Sequence, residues 1–338
     1  MHPRDHARLM LINRTTREIS HHHVYDLPKL LPQNYFIVAN NTKVFPARLL
    51  GSKPTGGKVE ILLTEPLGHS NYRCIARPGL KVGDTIHFSS SLYGTITHLQ
   101  DIERTIHFNL EESKLRTTLS ELGTMPTPPY IKKLLGNSSD YQTIYAKYGF
   151  SAAAPTAGLH FTPKLLKDIK IDHSWDELTL NVGLGTFLPV KENNIKNHHM
   201  HAESYTISTT TSENLTGLKQ SGQKLLSIGT TTMRALESNA TYNPRGYKGL
   251  ITPGVTPGTF STSIFIYPPY EFQLTNALMT NFHLPGSTLL MLVSAFCSYP
   301  NSSEKFTTFS GSLLGRAYAQ AISHNYRFFS FGDAMLII

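Results

Sequence analysis

The chain has 338 residues and a mass of 37.7 kDa, enough for two ordinary domains or one large one, which excludes a disulfide-stapled miniprotein. Hydrophobic residues make up 40% and charged residues 16%, with 24 glycines and 20 prolines, a globular and loop-rich composition that excludes a disordered or coiled-coil chain. A formal net charge of +8, spread along the chain without a dense block, leans toward polyanionic partners such as nucleic acid, with an ordinary basic enzyme as the plain alternative.

In chain order, Leu9-Met10-Leu11-Ile12, a run near Ile19 and Tyr35-Phe36-Ile37-Val38-Ala39 read as strands separated by turn signals. From about Arg48 to His107 the texture changes to short β-rich runs at 58–63, 72–76, 85–88, 92–97 and 104–108, spaced by Gly/Pro breakers, which predicts a small antiparallel barrel or sandwich. Beyond Tyr141 strands alternate with helices, the pattern of an α/β layer. Thr162-Pro163 predicts an N-cap and first-turn proline opening a helix to about Ile169. Strands are predicted at 178–182, 224–228, 261–267 and 328–337, and helices at 212–219, 232–238, 288–296 and 313–323. The β-rich middle therefore reads as an insertion into an α/β domain formed by both chain ends. The predicted division is 1–47 with 141–338, and 48–140. The longest apolar run, Leu289 to Cys297, is about half of the roughly 20 residues a membrane helix needs. With no secretory layout at Met1-His2-Pro3-Arg4-Asp5 and only Cys74 and Cys297, a reducing cytoplasm is expected.

The common nucleotide and hydrolase signatures are missing. Gly183-Leu184-Gly185 lacks the third glycine of a dinucleotide turn, Gly51 to Lys58 has the wrong spacing for a phosphate loop, and no His-Glu-x-x-His, Cys-x-x-Cys or Gly-x-Ser-x-Gly occurs. What stands out is a set of polar loops that open helices. In Ser227 to Glu237 a strand runs through Gly229 into Thr230, Thr231 and Thr232, where free N–H groups and the helix dipole suit a carboxylate or phosphate; a plain N-cap is the competing explanation. Arg234 and Glu237, one turn in, also fit a simple ion pair. Asn281 to Thr288 and Ala154 to Phe161 are two further loops, each with a histidine beside turn formers, and three such loops at strand ends point to one shared site. His198-His199-Met200-His201-Ala202-Glu203 lacks the helical spacing of a zinc protease, so acid–base work or substrate orientation is the better reading than metal binding.

Taken together, these stretches resemble the S-adenosylmethionine:tRNA ribosyltransferase-isomerase family of queuosine biosynthesis. The resemblance is carried by Asn41 to Leu49, Met125 to Ile131, Tyr141 to Ala146, Ala154 to Thr162, Val182 to Phe187, His198 to Glu203, Gly229 to Glu237, Thr280 to Leu292 and Tyr326 to Leu336. It implies an α/β domain formed by both chain ends with an inserted antiparallel β-barrel. It also implies transfer and isomerisation of the ribosyl part of S-adenosylmethionine onto a 7-aminomethyl-7-deazaguanine in the tRNA anticodon. The products are epoxyqueuosine-tRNA, adenine and methionine. S-Adenosylmethionine is then a co-substrate with no cofactor or metal implied, and tRNA carrying a queuosine precursor is the partner.

The resemblance further implies His160, His201, Glu203 and His283 as acid–base candidates, with their individual roles open. The start of the helix at Gly229, Thr230 and Thr231 suits the methionine carboxylate. Tyr130, Tyr141 and Tyr326 are candidates to stack on a base, and Arg48, Arg234 and Arg327 to meet phosphates. Thr156, Gly158, Glu237, Asn281, Ser287, Thr288 and Asp333 complete the expected substrate-binding set. Asn181 stands where the family typically has histidine, and Thr127 where leucine is usual. The family usually carries a further element ahead of Pro3-Arg4-Asp5, so a shortened N-terminus is expected. A relative that binds tRNA or S-adenosylmethionine without turnover is the alternative, and a zinc hydrolase built on His198 to His201 the third reading.

Overall fold

The structure, a computed structural model, describes residues 3–126, 138–183, 192, 194–241 and 254–338. Six strands between Arg48 and Phe108 close into an antiparallel barrel, in the order Glu103–Phe108, Asn71–Arg77, Lys58–Gly68, Arg48–Ser52, Thr85–His87, Tyr93–Gln100. Alternation explains it. Along Lys58–Leu63 every second residue, Val59, Ile61 and Leu63, turns into the barrel core with Ile86, Ile96 and Ile106.

The chain on either side of the barrel builds one mixed nine-stranded sheet. Its order is Gly258–Thr262, Glu203–Ile207, Ser174–Leu180, Tyr35–Asn40, Lys224–Ile228, Ala277–Asn281, Ala334–Ile337, Arg8–Ile12, Ile19–His23. The centre is parallel, with Tyr35–Asn40 flanked by Ser174–Leu180 and Lys224–Ile228. Such strands are covered on both faces, which is why all six residues of Tyr35–Asn40 are buried and the sequence runs apolar without alternation. The two chain ends meet directly: Leu9 to Ile12 pairs in parallel with Ala334 to Ile337. On Arg8–Ile12, Met10 and Ile12 face a core shared with the helices Thr288–Phe296 and Leu313–Ser323, whereas Leu9 joins the opposite core with Leu165 and Ile169 of the helix Pro163–Asp172.

Helix starts are written locally. Thr162 caps Pro163–Asp172 by accepting from the Leu165 N–H at 3.2 Å, and Ser208, Ser287 and Ser312 cap three other helices in the same way, each worth about 1 kcal/mol. Two predicted strands are shorter than the sequence suggests. The strand expected at 261–267 ends at Thr262, whose hydroxyl accepts from the Ile264 N–H and turns the chain. The one expected at 328–337 begins only at Ala334, because Phe329 takes a φ of 72° and its N–H donates to the Phe282 carbonyl. Among the described residues no helix is long and apolar enough to cross a membrane.

Candidate active site

The three helix-opening loops converge on one cavity of about 360 Å³ at the carboxyl ends of the central parallel strands. Thr156 comes from the first loop, Gly229, Thr230 and Thr231 from the second, and Asn281, His283 and Ser287 from the third. Gly229 holds a φ of 88°, a conformation that costs glycine little, and its N–H donates to the Met279 carbonyl at 2.8 Å. This turn sends the buried strand Lys224–Ile228 straight into the helix Thr230–Thr241, so the first helical N–H groups and the positive end of the dipole meet the cavity. Thr232 is turned away, its hydroxyl donating to the Ile228 carbonyl.

Two histidines occupy different layers. His283 lines the cavity, with Nε2 bonded to the Thr280 hydroxyl at 2.9 Å and its backbone N–H donating to the Tyr318 hydroxyl at 2.8 Å. His160 lies one layer behind, its Nε2 at 3.0 Å from Asn281 Nδ2. Burial pushes both imidazoles down to about 4, so both are neutral at pH 7. A neutral imidazole carries one lone pair and one N–H, so His283 can accept or donate a hydrogen bond at the cavity wall while burial disfavours its protonated form.

The remaining sequence-derived candidates lie elsewhere. Glu203 and Arg234 are brought together, but as a buried ion pair: Arg234 Nη1 donates to Glu203 Oε2, and the Gly183 N–H donates to Oε1 at 3.0 Å. Arg234 therefore does not pair with Glu237. Glu237 instead accepts backbone N–H groups from Gln273, Leu274 and Thr275 at 2.7, 3.1 and 3.0 Å, while burial raises its pKa against those donors. His201 is exposed and lines a second, smaller cavity of about 180 Å³ between barrel residues Thr64, Arg73 and Glu103 and residues Asn181, Gly183 and Glu203 of the α/β part, of which Glu203 is in the sheet. In that cavity Asn181 accepts from the Phe150 N–H at 3.0 Å and donates to the Ser204 hydroxyl at 3.1 Å.

Arg327 is held by Asp333, a fully buried carboxylate that also accepts the backbone N–H groups of Arg8 and Arg327 at 3.0 and 2.8 Å. Burial alone would raise the Asp333 pKa, but the bonds from Arg327 and Arg8 outweigh it and the net shift is downward. Tyr141 is fully buried in a small core with Val44, Ala154 and Leu159, and Tyr326 packs against Phe282 with the Arg8 guanidinium 4.1 Å over its ring. Protein already covers both rings, so neither offers a free stacking face. Arg48 is on a barrel strand beside Glu60, and Thr288 is the first residue of its helix, behind the Ser287 cap. Gly158 is a packing position, since a Cβ there would overlap the Tyr145 hydroxyl. Tyr130 lies outside the described residues.

Sequence reasoning missed the residues that hold the site from behind. Asn40 is fully buried; its Oδ1 accepts the Thr42 and Leu180 N–H groups, and its Nδ2 donates to the Leu180 carbonyl at 3.0 Å and to the Thr231 hydroxyl at 3.3 Å. The signal was an asparagine ending an otherwise apolar buried strand, where a side-chain amide must find partners. Thr280, three residues before His283, carried a weaker one.

Comparison with known proteins agrees with this architecture. The family described as queuosine biosynthesis protein matches residues 1–337. A protein of Natranaerobius thermophilus named S-adenosylmethionine:tRNA ribosyltransferase-isomerase is 43% identical over 99% of this chain and 93% of its own length. A protein of the same name from a Thermoanaerobacter species is 42% identical over 98% of this chain and 93% of its own. The crystal structure of S-adenosylmethionine tRNA ribosyltransferase from Thermotoga maritima is 31% identical, with a TM-score of 0.53 and coverage of 100% of this chain and 94% of that one.

Proposed function

The chain belongs to the queuosine biosynthesis protein family, and from that premise we propose that it is a ribosyltransferase-isomerase acting on S-adenosylmethionine and tRNA. In this reading the ribosyl part of S-adenosylmethionine moves to the aminomethyl group of a 7-deazaguanine in tRNA and isomerises to the epoxycyclopentane of epoxyqueuosine. Adenine and methionine leave. The observation that carries the reading is the convergence of the loops at Thr156, Gly229 to Thr231 and Asn281 to Ser287 on one cavity.

The sulfonium makes the neighbouring ribose C5′ protons acidic, so a base placed there starts the isomerisation, and departure of adenine needs a proton donor. Among the described residues that line the cavity His283 is the one with a titratable side chain, and it is the acid–base residue of this reading. The N–H groups opening the helix Thr230–Thr241 take the methionine carboxylate. Glu203, by contrast, stays in its pair with Arg234, and His201 serves the cavity between barrel and sheet, where a bound tRNA can bridge the two.

The test is product analysis. The purified chain is incubated with S-adenosylmethionine, with and without tRNA bearing the aminomethyl deazaguanine. Free adenine and methionine are expected in a one-to-one ratio and only with that tRNA. Stoichiometric S-adenosylhomocysteine would mean methyl transfer and would overturn the reading. Binding of both substrates without product would favour a non-catalytic relative.

A further inference from the structure

Thr280 and His283 share one hydrogen bond, and its direction decides what the histidine offers the cavity that both residues line. Thr280 is on the buried strand Ala277–Asn281, and its hydroxyl lies 2.9 Å from His283 Nε2. The Tyr318 hydroxyl holds the His283 main chain twice, accepting from its N–H at 2.8 Å and donating to its carbonyl at 3.3 Å, so the ring starts from a fixed backbone. The other ring nitrogen, Nδ1, bonds to no described residue and is not among the buried atoms sealed from solvent. It is therefore the nitrogen that a ligand can reach.

A threonine hydroxyl has one hydrogen to place. Thr280 is 1% exposed, and among the described residues Nε2 is the one partner its hydroxyl has. A hydrogen on Nε2 donating to the threonine would leave the hydroxyl hydrogen buried without an acceptor. The reverse satisfies both groups: Thr280 donates to the Nε2 lone pair, and a ring kept neutral by burial then carries its one hydrogen on Nδ1.

An N–H aimed at the cavity needs an acceptor on the substrate. The methionine carboxylate is taken by the helix start at Gly229 to Thr231, whereas Phe282, Leu284 and Leu289 give the wall around His283 an apolar character that suits a flat base. We propose that the Thr280 hydroxyl fixes His283 in the Nδ1–H tautomer, and that this N–H donates to a ring nitrogen of the adenine of S-adenosylmethionine. Thr280 is then a positioning residue, and the donor is set where negative charge develops on the departing base. This rests on the substrate reading given above.

Two measurements on the full chain test it. The first is nitrogen NMR of the chain labelled with 15N-histidine, the His283 ring being identified by its absence in His283→Gln. In the free wild-type chain at pH 7.5 the hydrogen is expected on Nδ1. Thr280→Ala, which makes room for a water able to donate or accept, is expected to show both tautomers, and Thr280→Ser to restore the single one. A wild-type ring with its hydrogen on Nε2 overturns the proposal whatever the substrate. The second is calorimetry with saturating tRNA that lacks the aminomethyl deazaguanine, so that no turnover occurs. The ligands are S-adenosylmethionine and its 1-deaza, 3-deaza and 7-deaza analogues, each with one ring nitrogen replaced by C–H. One analogue is expected to bind the wild-type chain at least about tenfold more weakly, because it leaves the Nδ1 donor unpaired, and in Thr280→Ala that penalty is expected to fall below about threefold. Equal affinity for all three analogues and the parent overturns the adenine assignment, as does a penalty unchanged in Thr280→Ala. A wild-type chain that binds none of the four ligands overturns the substrate reading itself.

Discussion

Arg234 and Glu203 form a buried ion pair that ties the helix Thr230–Thr241 to the strand Glu203–Ile207, and less than a twentieth of either side chain is exposed. The Glu203 carboxylate also holds the Gly183 N–H, so a single group connects three parts of the α/β domain. Removing one partner leaves the other as an uncompensated buried charge. Arg234→Ala is therefore expected to destabilise folding by about 3–5 kcal/mol, measured by chemical denaturation. A variant with wild-type stability and reduced turnover would instead mark Arg234 as a substrate ligand.

Stability is expected to fall on mild acidification. His160 and His283 are held near pH 4 by burial, against about 6.5 in the unfolded chain. Between these values the unfolded chain binds protons that the folded chain refuses, so stability is complete above about pH 6.5 and is lost as pH falls toward 4. From pH 7.5 to 5.0 each histidine contributes a loss of about 2 kcal/mol. Urea midpoints at the two pH values measure this, and His283→Gln should remove roughly half of the combined effect. An unchanged midpoint in the wild-type chain would contradict the neutral assignment.

Gly158 is expected to reject alanine for reasons of space. The added Cβ would overlap the Tyr145 hydroxyl and come within 2.8 Å of Thr143 Cγ2, and Tyr145 is itself buried among Phe161 and Trp175. Gly158→Ala should cost about 1–3 kcal/mol, as overpacking does. Tyr145→Phe deletes the blocking oxygen, so thermal melts of the double variant should recover part of the loss. No recovery would show that the strain lies in the backbone.

Binding of tRNA is expected to weaken steeply with salt. The net charge of +8 favours phosphate contacts, and each contact formed releases counterions. Fluorescence anisotropy at 50 and 200 mM salt should give affinities differing by at least about tenfold. A constant affinity would exclude a predominantly electrostatic docking surface.

The sequence alone determined the architecture, because its signals are local and periodic. Alternation at Val59, Ile61 and Leu63 specifies a one-sided strand, the unbroken apolar run at Tyr35 to Ala39 a strand buried on both faces, and Thr162 with Pro163 a helix start. The same locality pointed to Gly229 and the loop at Asn281 to Ser287, which line one cavity. Only the tertiary structure decided which polar groups face the cavity and which are consumed in holding it. Glu203 and Arg234 are 31 residues apart, His160 and Asn281 121 apart, and Arg8 and Asp333 325 apart. Every side chain in these pairs except Arg8 reads as a functional candidate in sequence, yet a buried charge or amide must be paired wherever the fold puts it, and the partner is set by strand order rather than by spacing. Tyr141 and Tyr326 show the same limit, since whether a ring packs in a core or lies open to a base depends on what the distant chain lays over it.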